Sequence, residues 1–334
     1  MPTELLLAFA VAGTFVLYSI FGGADFGGGV WDLLASGPRK AEQRALIARA
    51  LGPVWEVNHV WLIVGLVLLF SGFSRAFAVL TVALHVPLTL LLLGIVFRGT
   101  AFTFRTYDAR GDLVQRRWGL VFSVASVISP VLLGMCVGAV VSGRIRVEGR
   151  VVVSGFFAPW LTPFSVAVGV LALCLFAFLA AVYLTAEADS EPLREDFRRR
   201  ALLSGGAVFL AALGVLVLAR EAAPRVWSGL LHAPFALALH AITALSAVAT
   251  FVLLWRRRFS WARVTAAAQV GFIVLGWAAS QYPYLVVPDV TIQAAAVSPN
   301  VLRLLMVAIA VGAALVVPSI VLLLRVFEAR PPRT

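Results

Sequence analysis

A carboxylate, an amide and an imidazole interrupt an otherwise apolar stretch at residues 52–63, GPVWEVNHVWLI. Glu56 and His59 are three residues apart, a spacing that puts them on one face of a helix, about 5 to 6 Å between Cβ atoms, with Trp55 and Asn58 on its flanks. An ionisable side chain inside a membrane span costs roughly 2.5 to 3.5 kcal/mol even on the lenient insertion scale, so each needs a partner or a water-filled path. The chemistry such groups offer is proton transfer or charge compensation. Two further acids lie in FGGADFGGGVWDLL, where Asp25 and Asp32 are seven residues apart on about the same helical face. Asp25, nearer the hydrocarbon, reads as functional, and Asp32 as an interfacial carboxylate paired with a loop arginine. The glycines around Asp25 allow close helix approach or local unwinding. Arg98, in GIVFRGTAFTFR, completes the set. Two carboxylates, an imidazole and a guanidinium are therefore expected to meet near the cytoplasmic surface, as a charge-compensated cluster or the mouth of a proton path.

The elements that must position these groups are membrane helices. Of the 334 residues 61% are hydrophobic and only 13% charged, far from the soluble average of about 45 to 50% apolar and 25% charged. Nine apolar runs of spanning length can be marked, at 5–24, 53–71, 76–97, 120–141, 161–186, 201–219, 234–255, 264–284 and 302–327. The first reads as a span and not as a removed signal, since no basic segment precedes it. Of the 27 Lys and Arg residues, 20 fall in one set of alternate connecting segments and 7 in the other. That bias predicts an N-terminus outside and a C-terminus in the cytoplasm, and it assigns the net charge of +11 to membrane orientation, not to nucleic acid. The expected fold is an all-α polytopic membrane protein of about nine transmembrane helices, as two four-helix bundles plus one peripheral helix. Residues 1–334 form a single integral-membrane domain in this reading, because no connection is long enough for a separate globular unit.

The other candidate ligands do not converge. Counting 1.5 Å per residue, His59 lies about 9 Å and His85, in the middle of the third run, about 18 Å from the cytoplasmic ends of their spans, a poor match for one axial pair on a heme. His232 and His240 read as interfacial or hydrogen-bonded histidines. Cys136 and Cys174 sit in different spans and suggest neither a disulfide nor a metal site. Asp289, in the outer YPYLVVPDVTIQ segment, is expected to be solvated or at a subunit contact. No P-loop, dinucleotide fingerprint, HExxH or CxxCH occurs.

The blocks GADFGGGVWDLL at 23–34, GPVWEVNHVWLI at 52–63, LLGIVFRGTAFTFR at 92–105 and YPYLVVP at 282–288 resemble subunit II of the cytochrome bd quinol oxidases, including the cyanide-insensitive branch. The resemblance covers most of the chain in order and is most specific in the first three blocks. It implies one half of a heterodimer in the bacterial cytoplasmic membrane that oxidises quinol and reduces oxygen to water, inactive alone. It also implies that subunit I ligates the two heme b and one heme d, that this chain ligates no cofactor, and that some members hold a structural quinone or a small extra subunit. On the matching positions, Glu56 falls where the family has an acid assigned to a cytoplasmic proton path, Asp25 on the acid of the glycine block and Arg98 on the arginine after the third span. Many members have Asp and Gln or Glu where this chain has Glu56 and His59. From these residues the path comprises Asp25, Glu56 and His59, with Arg98 as charge partner. An ion-coupled transporter, which would act without a partner, and a purely structural subunit, with Glu56 and Arg98 compensating each other, are the alternative readings.

Overall fold

The computed structural model describes the backbone of residues 2–107 and 112–328, without the side chains of 51–57, 105–107, 112–116, 317, 320, 321 and 323–328. In chain order the elements are α1 (Thr3–Leu33), α2 (Lys40–Gly72), α3 (Ser74–Ala83), α4 (His85–Tyr107), α5 (Asp112–Val141), β1 (Val147–Glu148), β2 (Val151–Val152), α6 (Pro163–Glu187), α7 (Glu191–Ala222), α8 (Pro224–His232), α9 (Ala236–Trp255), α10 (Phe259–Ser280), β3 (Tyr284–Val286), β4 (Val290–Thr291), α11 (Ile292–Ala295) and α12 (Pro299–Glu328). Among the described residues eight helices are long and apolar enough to cross a membrane, and 58–72 with α3 is a ninth candidate bent by 116°. The protein is an all-α multi-pass membrane protein.

A separate break, between α3 and α4, corrects the sequence reading of the third span. Hydropathy merges 76–97 into one run, but the helix stops at Ala83 and restarts at His85. Pro87 supplies the reason, because it has no N–H for the carbonyl of Ala83 and its ring would clash with that carbonyl; it is tolerated only in the first turn of a new helix. His85 is consequently not mid-span. It stands exposed at the start of α4, with Nδ1 2.9 Å from the Val82 carbonyl oxygen and its ring edge-on to Phe156. Arg98 shifts as well: with α4 starting at His85 it lies inside the helix, nine residues before Tyr107, and not at its exit.

α1 is the central element, packed against α2, α5, α6 and α10. Its glycine block stays helical to Leu33, so these glycines serve close approach and not unwinding. A Cβ on Gly27 would stand 1.9 Å from the Phe176 carbonyl oxygen, and one on Gly29 2.2 Å from Ser126 Oγ. Trp31 Nε1 donates to the Ala177 carbonyl at 2.7 Å, which fixes α1 against α6 in this register. Between α1, α5, α6 and α7 lies a core of Phe26, Trp31, Phe122, Phe176, Phe178 and Phe197.

The two ends of the assembly are held differently. At the end where α1 meets α2, ion pairs join the connections: Arg39 to Asp196, Arg49 to Asp189, Arg257 to Glu191 and Arg263 to Glu187. At the opposite end two short antiparallel hairpins, β1–β2 and β3–β4, close over the helices. Asp289 ties them, accepting from Val147 N at 2.8 Å and pairing with Arg146 at 3.3 Å. It therefore acts as an internal strut between the hairpins and is not fully solvated.

Candidate functional site

Antiparallel packing of α1 on α2 sets the site. A Cβ on Gly72 would meet Leu7, one on Gly65 would meet Thr14, and one on Gly22 would stand 2.9 Å from Asn58 Oδ1. That register carries the backbone of Glu56 past the turn of α1 that holds Asp25. The Glu56 side chain itself lies outside the described residues. His59 is half-buried. Among the described side chains of the polar face expected at 56–59, Asn58 turns onto α1: it is 0% exposed and its Nδ2 donates to Asp25 Oδ2 at 3.3 Å.

Asp25 and Arg98 meet in full burial, at 0% and 1% exposure. Arg98 Nη1 donates to Asp25 Oδ2 at 2.7 Å, and Nη2 donates to Oδ1 and, at 3.0 Å, to the Asp25 carbonyl. Its Nε donates to Ser126 Oγ at 2.9 Å. The guanidinium carbon sits 4.7 Å from the centroid of Phe26 and 5.0 Å from that of Phe122. Forked pairing, a hydroxyl acceptor and two ring faces together offset the desolvation that makes isolated buried charges so costly. The sequence reading placed these two residues together, and the structure brings them into direct contact. The described carboxylate opposite Arg98 is that of Asp25; the pairing of Glu56 with Arg98 weighed in the structural alternative falls outside the described side chains.

A second polar layer lies seven residues along α1, about 10 Å away at helical rise. Asp32 is 1% exposed, accepts from Ser123 Oγ at 2.9 Å and has Arg44 Nε at 3.8 Å. An arginine partner was expected, but Arg44 belongs to α2 and not to a loop, and the carboxylate is buried. A third layer closes this end of the assembly, where Arg39 and Gln43 both donate to Asp196 and Arg200 donates to Gln43 Oε1 at 2.8 Å. In the polar first turns of α7, ahead of its apolar run, the Arg39 guanidinium holds the Asp196 carboxyl below the usual carboxylate range. Polar groups thus step from the end of the bundle to its interior in three layers. Ser123 and Ser126 were missed from sequence. Their three-residue spacing on an apolar helix, repeated at Ser129, was the available signal.

One buried group in this region stands outside the network. The Tyr18 hydroxyl, on a residue 1% exposed, has no hydrogen-bond partner. A buried hydroxyl left unmet is a cost, so Tyr18→Phe is expected to be neutral or to stabilise the protein by roughly 1 kcal/mol in thermal denaturation. A loss of stability would show that the hydroxyl holds a water.

Known proteins share the sequence pattern and fold of this chain. A family model described as cytochrome bd terminal oxidase subunit II matches residues 3–327. The chain is 27% identical over 210 residues to the cytochrome bd ubiquinol oxidase subunit 2 of Bacillus subtilis, covering 62% of this chain and 60% of that relative's length. It is 22% identical over 316 residues to a putative cytochrome bd menaquinol oxidase subunit II of the same organism, covering 91% and 90%. Among solved structures, the bd oxidase from Geobacillus thermodenitrificans superimposes with a TM-score of 0.82 at 27% identity, over 98% of this chain and 99% of that one.

Proposed function

Because the chain belongs to the cytochrome bd terminal oxidase subunit II family, we propose that it is the second subunit of a quinol:oxygen oxidoreductase, which supports a heme-bearing subunit I and supplies part of its cytoplasmic proton entry path. The hemes of such a complex supply the reduction of oxygen by electrons from quinol. In this reading the hemes belong to subunit I, and the contribution of this chain is protonic and structural.

The observation that carries the proposal is the layered polar seam between α1, α2, α4 and α5 in an otherwise apolar bundle. Oxygen reduction consumes protons, and lipid cannot deliver them, so a hydrated polar row is required on the way to the reacting oxygen. Arg44, Asp32 and Ser123 form the outer part of that row, and Asp25 the inner part. Asp25 has both carboxylate oxygens engaged by Arg98, so it acts as a fixed anion that stabilises a passing proton. Glu56 carries the proton in this reading, and His59 three residues on receives or relays it.

Glu56→Gln is expected to lower quinol oxidase turnover of the purified complex by roughly 10²-fold, the scale of losing one positioned proton carrier, while the heme absorbance bands persist. Unchanged turnover would remove Glu56 from the path and leave the chain a structural subunit.

A further inference from the structure

At the end of the assembly where α1 meets α2, a cavity of about 280 Å³ opens between the α1–α2 connection and the start of α7, lined by Ser36, Gly37, Arg39, Gln43, Asp196, Arg199 and Arg200 among others. Three guanidinium groups face it and one carboxylate. That carboxylate is consumed, since Arg39 holds Asp196 with two hydrogen bonds and Gln43 adds a third. Arg200 is fixed in place: its guanidinium carbon lies 5.4 Å from the Trp31 ring and 5.1 Å from the Phe197 ring, Nη2 donates to Gln43 Oε1, and Nη1 has no hydrogen-bond partner. Arg199 is largely exposed, its only described ion pair being a 3.4 Å contact with Glu195. The cavity therefore carries an excess of positive charge with hydrogen-bond donors unspent, in a geometry suited to a phosphate group.

What borders the cavity selects the source of that phosphate. Arg200 Nη2 also reaches the Leu34 carbonyl at 3.4 Å, and Leu33, Leu34 and, one turn along α7, Leu203 are all exposed apolar side chains. A basic recess whose lining residues Ser36 and Arg200 lie within three residues along the chain of exposed leucines, at the end of a spanning helix, matches a phospholipid, with the headgroup in the recess and an acyl chain along α7. A free phosphate would leave the leucines without a role. We propose that this recess is a binding site for the headgroup of an anionic phospholipid. Arg199 and Arg200 hold the phosphate, and Arg39 serves as the wall that neutralises Asp196. The site is separate from the proton path and does not depend on it.

The test uses the intact complex purified in detergent, with melting temperature read against added short-chain phosphatidylglycerol, short-chain phosphatidylcholine or inorganic phosphate. Phosphatidylglycerol is expected to raise the melting temperature of the native complex by several degrees and phosphatidylcholine and inorganic phosphate to leave it unchanged. In Arg199→Gln, and in Arg200→Lys as a variant that keeps the charge and the stacking stem, the phosphatidylglycerol shift should fall by at least half. Equal shifts from both lipids, equal shifts in wild type and both variants, or a full shift from inorganic phosphate would each overturn the lipid site, the last in favour of a soluble anion.

Discussion

Arg98→Gln is expected to cost about 3 to 5 kcal/mol of stability, because it strands a fully buried carboxylate. Arg98 gives Asp25 two carboxylate hydrogen bonds and one to its carbonyl, and Asn58 can meet only a fraction of that need. The double variant Asp25→Asn with Arg98→Gln removes both charges and should recover much of the loss, since a neutral pair has no stranded ion. Thermal denaturation of the purified complex, with the four proteins of the cycle compared, measures the coupling. Were Arg98→Gln as stable as the wild type, Asp25 would have to be uncharged in the folded protein, and its part as a fixed anion in proton delivery would fall with it.

Gly27→Val is expected to prevent assembly outright. Even the first added carbon would lie 1.9 Å from the Phe176 carbonyl and 2.7 Å from Ala180 Cβ, so α1 and α6 must separate and with them the aromatic core that both helices build. No rotamer change can relieve a clash with backbone. Gly13→Ala in the same helix is the control, because nothing stands within 4 Å of that position. It should leave the yield of assembled complex unchanged. Assembled Gly27→Val at wild-type levels would mean that the α1–α6 contact can yield without cost.

The sequence and the structure agree where the physics is a long apolar run or an uncompensated charge. Asp25 and Arg98 stood out because lipid has no place for either alone, and they prove to be each other's partners. Depth was harder to read. α3 is apolar enough to count as membrane, and hydropathy is blind to the missing N–H of Pro87, so the apparent third span absorbed residues 76–83 of α3 and pushed Arg98 to the surface. Asp25 was likewise set at the edge because the glycine block was not counted as helix, though it continues to Leu33. The serines escaped notice for another reason. Ser123 and Ser126 satisfy themselves on the carbonyls of Gly119 and Phe122 one turn back, so they pass as neutral residues in an apolar helix and show their second role only when Asp32 and Arg98 arrive. For Asp289 the local context of prolines and aromatics pointed to a connecting segment, as the structure has it, but its partner Val147 in the other hairpin lies 142 positions away in sequence.

The difference between the two ends of the assembly has a consequence for how the protein yields. Ion pairs between exposed arginines and acids weaken as salt rises, with a screening length of about 10 Å at 0.1 M falling to about 3 Å at 1 M. The hairpin end has a single described ion pair, Arg146 to Asp289, and is held besides by neutral hydrogen bonds such as Val287 N to Val140 O and Val297 N to Gly72 O, which do not respond in that way. Concentrated salt should therefore loosen the α1–α2 and α6–α7 connections first. Hydrogen exchange would then spread inward along the arginine-rich face while the hairpin-bearing face stays closed, giving a molecule that opens like a book held at one edge.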